Sequence, residues 1–171
     1  SYVQPQDADA IRNDGFTNVI PIEEIKTIDG ISIYRTTGHH GFGQIGQMMG
    51  PVSGYVLKAE GFPTVYIMGD CRWEACIRDT VERFNPDYIV VNSGGAIFPE
   101  FSKTDGPIIP DENEVMQILD ELPSHIKLIA VHMDAIDHCQ TTRAILRNEA
   151  THHEADMSRL IIPEDGETVV L

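Results

Sequence analysis

Basic residues are scarce: 12 Lys and Arg stand against 27 Asp and Glu, a net charge of −15. Phosphate binding needs clustered cations, so nucleic acid and anionic membranes are disfavoured as partners. A small anionic substrate stays open, because it answers to local charge or to a metal. Cysteine is also sparse, with Cys71, Cys76 and Cys139 in no CxxC spacing. Such a set reads as reduced thiols in a cytoplasmic protein rather than a disulfide framework. No apolar run approaches the roughly 18 residues of a membrane span, and no signal-peptide pattern opens the chain. Internal repeats and low-complexity linkers are missing too. What is present is 171 residues, 42% of them apolar, enough for a single domain over 1–171 with a real core. Ser1 to Gln4 lack a Met and read as the tail of a strand, so the domain is expected to be incomplete at its N-terminus.

Apolar periodicity divides the chain. Residues 7–14 predict a short helix stopped at Gly15. Thr17–Ile22, Glu24–Ile28 and Ile31–Thr36 predict strands, the last two joined by Asp29-Gly30, a strong hairpin signal. Gly38 to Gly54 fits neither period and reads as a long glycine-rich loop, which in a compact domain is usually functional. Beyond it, Pro63–Met68, Asp87–Val91 and Ile126–Val131 are apolar strands. Residues 73–84 place Trp73, Ile77, Val81 and Phe84 on one helix face. A second helix is opened by Asp111 and Glu114, which resemble a capping box, and carries Val115, Ile118, Leu119 and Leu122 on one face. Residues 141–149 predict a last helix and Leu160–Pro163 a short strand. Strands alternating with helices from 63 to 131 imply parallel strands with right-handed crossovers, hence an α/β protein.

Ligands of such sheets bind beyond the carboxyl ends of the strands. Those ends carry chemistry here: Gly38-His39-His40-Gly41, Gly69-Asp70-Cys71, Asn92-Ser93-Gly94-Gly95 and Val131-His132. Imidazoles suit zinc, iron or manganese, and a carboxylate can bridge two cations. A paired metal site can polarise a carbonyl or phosphoryl oxygen and lower the pKa of a shared water. Each residue also has a plainer reading. His40 is otherwise a polar loop residue, Asp70 the head of an Asx turn, and His132 a hydrogen-bonded histidine ending a core strand. Ser93 and Gly94 are otherwise a strand-to-loop turn, and His138 the start of the last helix. Trp73, Met48 and Met49 read as packing, Cys71 as a neighbour of the site, and His152 and His153 as surface.

In their order and spacing, Thr36-Thr37-Gly38-His39-His40, Gly69-Asp70-Cys71 and Val131-His132-Met133 resemble the later ligand motifs of the metallo-β-lactamase superfamily. Met49 to Gly54, and His132 to Cys139 followed by Thr142-Arg143, resemble the branch of ascorbate-6-phosphate lactonase. The resemblance runs over nearly the whole chain. It implies part of an αββα sandwich and two divalent metal ions, zinc or manganese. The implied ligands are His40, Asp70 and His132, with Asp70 bridging. His39 is the alternative to His40, because the branch usually has Gln-His at this point and other branches place the ligand one position earlier. Asp70 and His138 are the implied catalytic residues, with Ser93 and Gly94 at the substrate. The implied reaction is attack of metal-bound hydroxide on a lactone, ester or phosphodiester. The family's HxHxDH motif occurs nowhere here, and the resemblance puts it upstream of Ser1. The expected partners are a small-molecule substrate and either a second copy of the chain or a separate chain carrying the missing segment. Two other readings stand beside the lactonase-like enzyme: a phosphodiesterase of the same fold, and a non-catalytic homologue that only binds.

Overall fold

The computed structural model describes residues 1–100 and 102–171. Its main body is a seven-stranded mixed sheet. The strands are β3 (Ile25–Ile28), β4 (Ile31–His39), β5 (Pro51–Lys58), β6 (Val65–Ile67), β7 (Tyr88–Asn92), β8 (Lys127–Val131) and β9 (Leu160–Ile161), adjacent in that order. β3 to β6 run antiparallel and β6 to β9 parallel. The turn between β3 and β4 is the Asp29-Gly30 hairpin, with φ of 50° and 84° at its two residues. Positive φ at both positions is what a tight hairpin turn demands, and Gly supplies it without steric cost. Two further strands, β1 (Tyr2–Val3) and β2 (Ile20–Pro21), pair in parallel and flank helix α1 (Ala8–Asn13).

Each parallel connection carries a helix: α3 (Ala75–Phe84), α5 (Glu112–Glu121) and α6 (Arg143–His152). Asp111 accepts the Glu114 amide at 2.9 Å, so the predicted cap is made. Thr142 caps α6 through the Ile145 amide at 3.1 Å. Ile77 and Val81 of α3, Val115, Ile118 and Leu119 of α5, and Leu146 and Ala150 of α6 meet Val56, Tyr66, Ile89, Val91, Leu128, Ala130 and Leu160 of the sheet in one buried cluster. The helices therefore cover a single face. Register partners across adjacent strands share a face, so the opposite face is also legible. One of its rows is Arg35, Tyr55, Ile67, Val90, Ile129 and Ile161, and the next is Ile33, Leu57, Val65, Tyr88 and Lys127.

Gly38 to Gly54 is not the irregular loop that its glycines suggest. β4 runs three residues past Thr36 to His39, α2 (Gly43–Met49) follows, and β5 begins at Pro51. No side chain at the Phe42 cap position closes α2. Its Ile45 amide donates instead to the Asp105 carboxylate at 3.0 Å, from the short helix α4 (Ser102–Asp105). A cap supplied from 60 residues away leaves no local signal. Thr17–Ile22 shrinks the other way, to the two strand residues of β2.

Candidate metal centre

The register fixes which strand ends meet. Tyr55 pairs with both Arg35 and Ile67, Ile67 with Val90, and Asn92 with Val131. The carboxyl ends of β4, β6, β7 and β8 thus open on one edge of the sheet. Past those ends stand His40, Asp70, Asn92 and His132.

His40 is half-buried, and burial lowers its pKa below 6.5. The Asp70 carboxylate opposes that shift and the His132 imidazole adds to it, so all three groups act on one another. A neutral imidazole near pH 7 is the form that coordinates a metal. Asp70 follows Gly69, which turns the chain at φ 70° with Ser53 O only 2.9 Å from where a Cβ would stand. Asn92 Nδ2 donates to Asp70 Oδ1 at 2.6 Å, which fixes the carboxylate.

His132 is exposed, and its φ is 62°, a left-handed conformation uncommon away from glycine. Such backbone strain persists where the surroundings hold it. Here Gly94 does so: a Cβ on it would stand 2.4 Å from His132 O and 2.7 Å from Cys139 Sγ. Cys139 Sγ lies 3.7 Å from His132 Nδ1. Its thiol pKa is raised, by burial first and then by Asp70. In the tautomer that carries its proton on Nδ1, facing the sulfur, the Nε2 lone pair is free for a metal, the usual arrangement behind a histidine ligand.

The other expected residues fall around this edge. His39 is exposed and turned to Glu74, with Nδ1 to Oε1 at 2.7 Å. Ser93 is fully buried and its hydroxyl donates back to Val91 O at 3.0 Å, so it faces the strand end rather than open space. His138 does not begin α6, which starts at Arg143; it stacks on Phe98 with ring centroids 5.4 Å apart. Cys71 is buried and its thiol is pushed up to about 12, by desolvation first. Trp73 is core, and Met49 packs on a second apolar cluster, whereas Met48 is 63% exposed and packs on nothing comparable. Sequence reasoning overlooked Asn92, Phe98 and Cys139 as neighbours of the site. Asn92 and Cys139 had a signal in their places beside Gly94 and His138.

His40, Asp70 and His132 fit a divalent metal in kind, as two neutral imidazoles and a carboxylate. Three donors are one fewer than the roughly four of a closed tetrahedral site. Among the described residues, no three His, Cys, Asp or Glu side chains form a group compact enough to hold a metal ion.

No protein-family model matches the chain. UPF0173 protein YddR of Bacillus subtilis is 32% identical over 170 residues, covering 98% of this chain and 64% of its own length. A crystal structure of a possible metal-dependent hydrolase from Veillonella parvula superposes with a TM-score of 0.90 at 31% identity, over 99% of this chain and 66% of that one. Isothiocyanate hydrolase from Delia radicum gut bacteria gives a TM-score of 0.89 at 34% identity, again over 99% and 66%. YhfI of Bacillus subtilis, a metallo-β-lactamase fold protein, matches at TM-score 0.62 and 14% identity, over 95% of this chain and 61% of that one, which bears on fold alone. This is the metallo-β-lactamase fold. The chain spans just under two thirds of the length of the relatives that it matches at 31–34% identity. Among the described residues no helix is long and apolar enough to cross a membrane.

Proposed function

We propose that this chain belongs to a metal-dependent hydrolase of lactonase-like type, acting on an electrophilic carbon: a lactone or ester carbonyl, or the central carbon of an isothiocyanate. The reading is supported by the register, which opens the strand ends before His40, Asp70 and His132 on one sheet edge, and by the influence of Asp70 and His132 on the proton affinity of His40. The isothiocyanate hydrolase at 34% identity is the reason for adding that substrate class. The net charge of −15 argues against the phosphodiester of a nucleic acid.

In this reading His40, Asp70 and His132 would hold divalent ions, zinc or manganese, with Asp70 the carboxylate available to a pair of them. His39 is set aside, because its ring is engaged by Glu74. Bound ions would polarise the substrate oxygen or sulfur and acidify a water. The residues do the rest. Burial keeps His40 unprotonated, Asn92 holds the Asp70 carboxylate in one orientation, and Cys139 orients the His132 ring. His138, about a third exposed beside this edge, donates a proton to the leaving group. Three free cysteines fit a cytoplasmic setting.

Elemental analysis together with hydrolysis of γ-butyrolactone, p-nitrophenyl acetate and benzyl isothiocyanate tests the proposal. In a protein extended to the relatives' full length, Asp70→Ala should lose metal and turnover together, while His138→Ala keeps metal and loses turnover in part. Equal metal content in wild type and Asp70→Ala would sink the assignment. A second reading, a binding module without turnover, is favoured by one observation: the described donors form no compact metal group. It predicts no stoichiometric metal in any preparation.

A further inference from the structure

Beside the strand-end edge lies an apolar feature that the chemistry above does not use. Residues 94–98 and 136–141 are zipped together. The Ile97 amide donates to His138 O and the Thr141 amide to Gly94 O, both at 2.9 Å, and Ala96 bridges to Cys139. This pairing rests on a small cluster of Ile45, Ala96, Ile108, Ile109 and Cys139, separate from the main core, with Met49 and Phe98 packed against it. The Phe98 ring and the His138 imidazole lie face to face, 24° from parallel. Cys139, one residue from His138, touches His132. The stacked pair, with both residues half-buried, therefore stands next to the proposed reaction centre and is locked there by backbone hydrogen bonds.

We propose that the Phe98–His138 pair is a specificity wall, which selects substrates with an aromatic or bulky apolar substituent adjacent to the electrophilic group, borne on the nitrogen in an isothiocyanate. The proposal rests on the hydrolase reading above. A planar apolar substituent would stack on the ring pair and shed water, whereas a methyl group covers too little of the ring. Phe98 is the specificity-determining residue, and its stacking also sets the orientation of His138. An aromatic contact is worth about 0.5–1.5 kcal/mol beyond area burial, so losing the ring should cost roughly three- to tenfold in selectivity.

The test compares benzyl with methyl isothiocyanate in the metal-loaded protein extended to the relatives' full length. Phe98→Ala should lower the benzyl-to-methyl ratio of kcat/KM by roughly fivefold, mainly through KM for the benzyl substrate, and Phe98→Tyr should restore it. A purely structural role would slow both substrates alike, so a ratio within twofold of wild type overturns the wall. Should the protein hydrolyse neither compound, the hydrolase reading fails for this substrate class, and the wall is then decided by binding. Phenylacetamide should give saturation-transfer NMR signals that Phe98→Ala weakens, and acetamide should give none. Equal phenylacetamide signals in both proteins overturn the proposal.

Discussion

At the scale of single residues, protonation is the first lever. His40 has its pKa depressed by burial, against the pull of Asp70. The folded protein therefore binds this proton less readily than the unfolded chain does. Stability from this group is fully present above pH 6.5, the ordinary histidine value, and is lost as the pH falls through the lowered folded pKa. His40→Gln should flatten that part of the profile, as read by urea midpoints from pH 7.5 down to pH 5. An unchanged slope would mean that His40 is not held neutral. Asn92 offers the sharper substitution. Asn92→Asp would set a second carboxylate 2.6 Å from Asp70, and like charges that close favour a shared proton. Metal affinity, measured by chelator competition, should fall by a factor of about 10–100, the usual effect of losing a partner behind a ligand. Asn92→Ala should weaken it less, and no change in either variant would remove Asn92 from the site. The placement of His40, Asp70 and His132 just beyond strand ends was legible in the sequence, because each follows an apolar strand. Phe98 was not. It reaches His138 only through the zipped pairing of two loops, and long-range loop pairing leaves no periodicity. The inward turn of the Ser93 hydroxyl is a rotamer choice that the Ser-Gly-Gly string does not encode.

At the scale of elements, the parallel half was readable and the antiparallel half less so. α3 and α5 announce themselves by apolar spacing, and α5 and α6 are capped by Asp111 and Thr142 from their own segments. α2 hides because Gly43, Gly46 and Gly50 interrupt its pattern and its amide is capped by Asp105. The turn after Asp70 depends on another distant partner. Arg72 Nε donates to Glu114 Oε2 at 2.6 Å, and the Trp73 amide donates to Glu114 Oε1 at 2.6 Å. Arg72 also reaches Pro107 O. Burial pushes the Glu114 carboxyl up despite Arg72 beside it, so desolvation outweighs the pairing here. Removing one partner of such a buried pair is far worse than removing both. Arg72→Met should cost about 3–5 kcal/mol in chemical denaturation, and the double variant with Glu114→Met should recover much of that loss. If the double variant is as unstable as the single one, the pair is not what holds this loop. Gly94→Ala belongs to the same scale, because its Cβ would collide with the His132 carbonyl. It should disturb metal binding before it disturbs the fold, a difference that chelator competition and thermal melting would separate.

At the scale of the whole molecule, the sheet has two faces with different fates. One is covered by three helices. The other carries Ile33, Leu57, Val65, Ile67, Val90, Ile129 and Ile161 in register rows, with Ile67 38% exposed and Ile31 at the strand start 43% exposed. Ile129 is buried, Leu171 lines a groove with Ile31, Leu57 and Val65, and the N-terminal segment screens a further part, where Gln4 bonds to Pro51 O and Ser53. An uncovered apolar face of this kind is an association surface, and the sandwich implied by the resemblance would close it with a second sheet. The same layer would have to supply the metal ligands that His40, Asp70 and His132 cannot provide by themselves. The two needs predict one behaviour. The 171-residue chain alone should bind zinc or manganese weakly, turn over little, and associate with itself or with a polypeptide bearing an HxHxDH segment. Light scattering on the purified chain should give a mass above the 19.0 kDa of one copy. Ile31→Glu with Ile67→Glu should lower that mass toward one copy, because charges on this face must be desolvated on contact. A monodisperse monomer holding two metals tightly would show that the face needs no cover and that the ligands are complete.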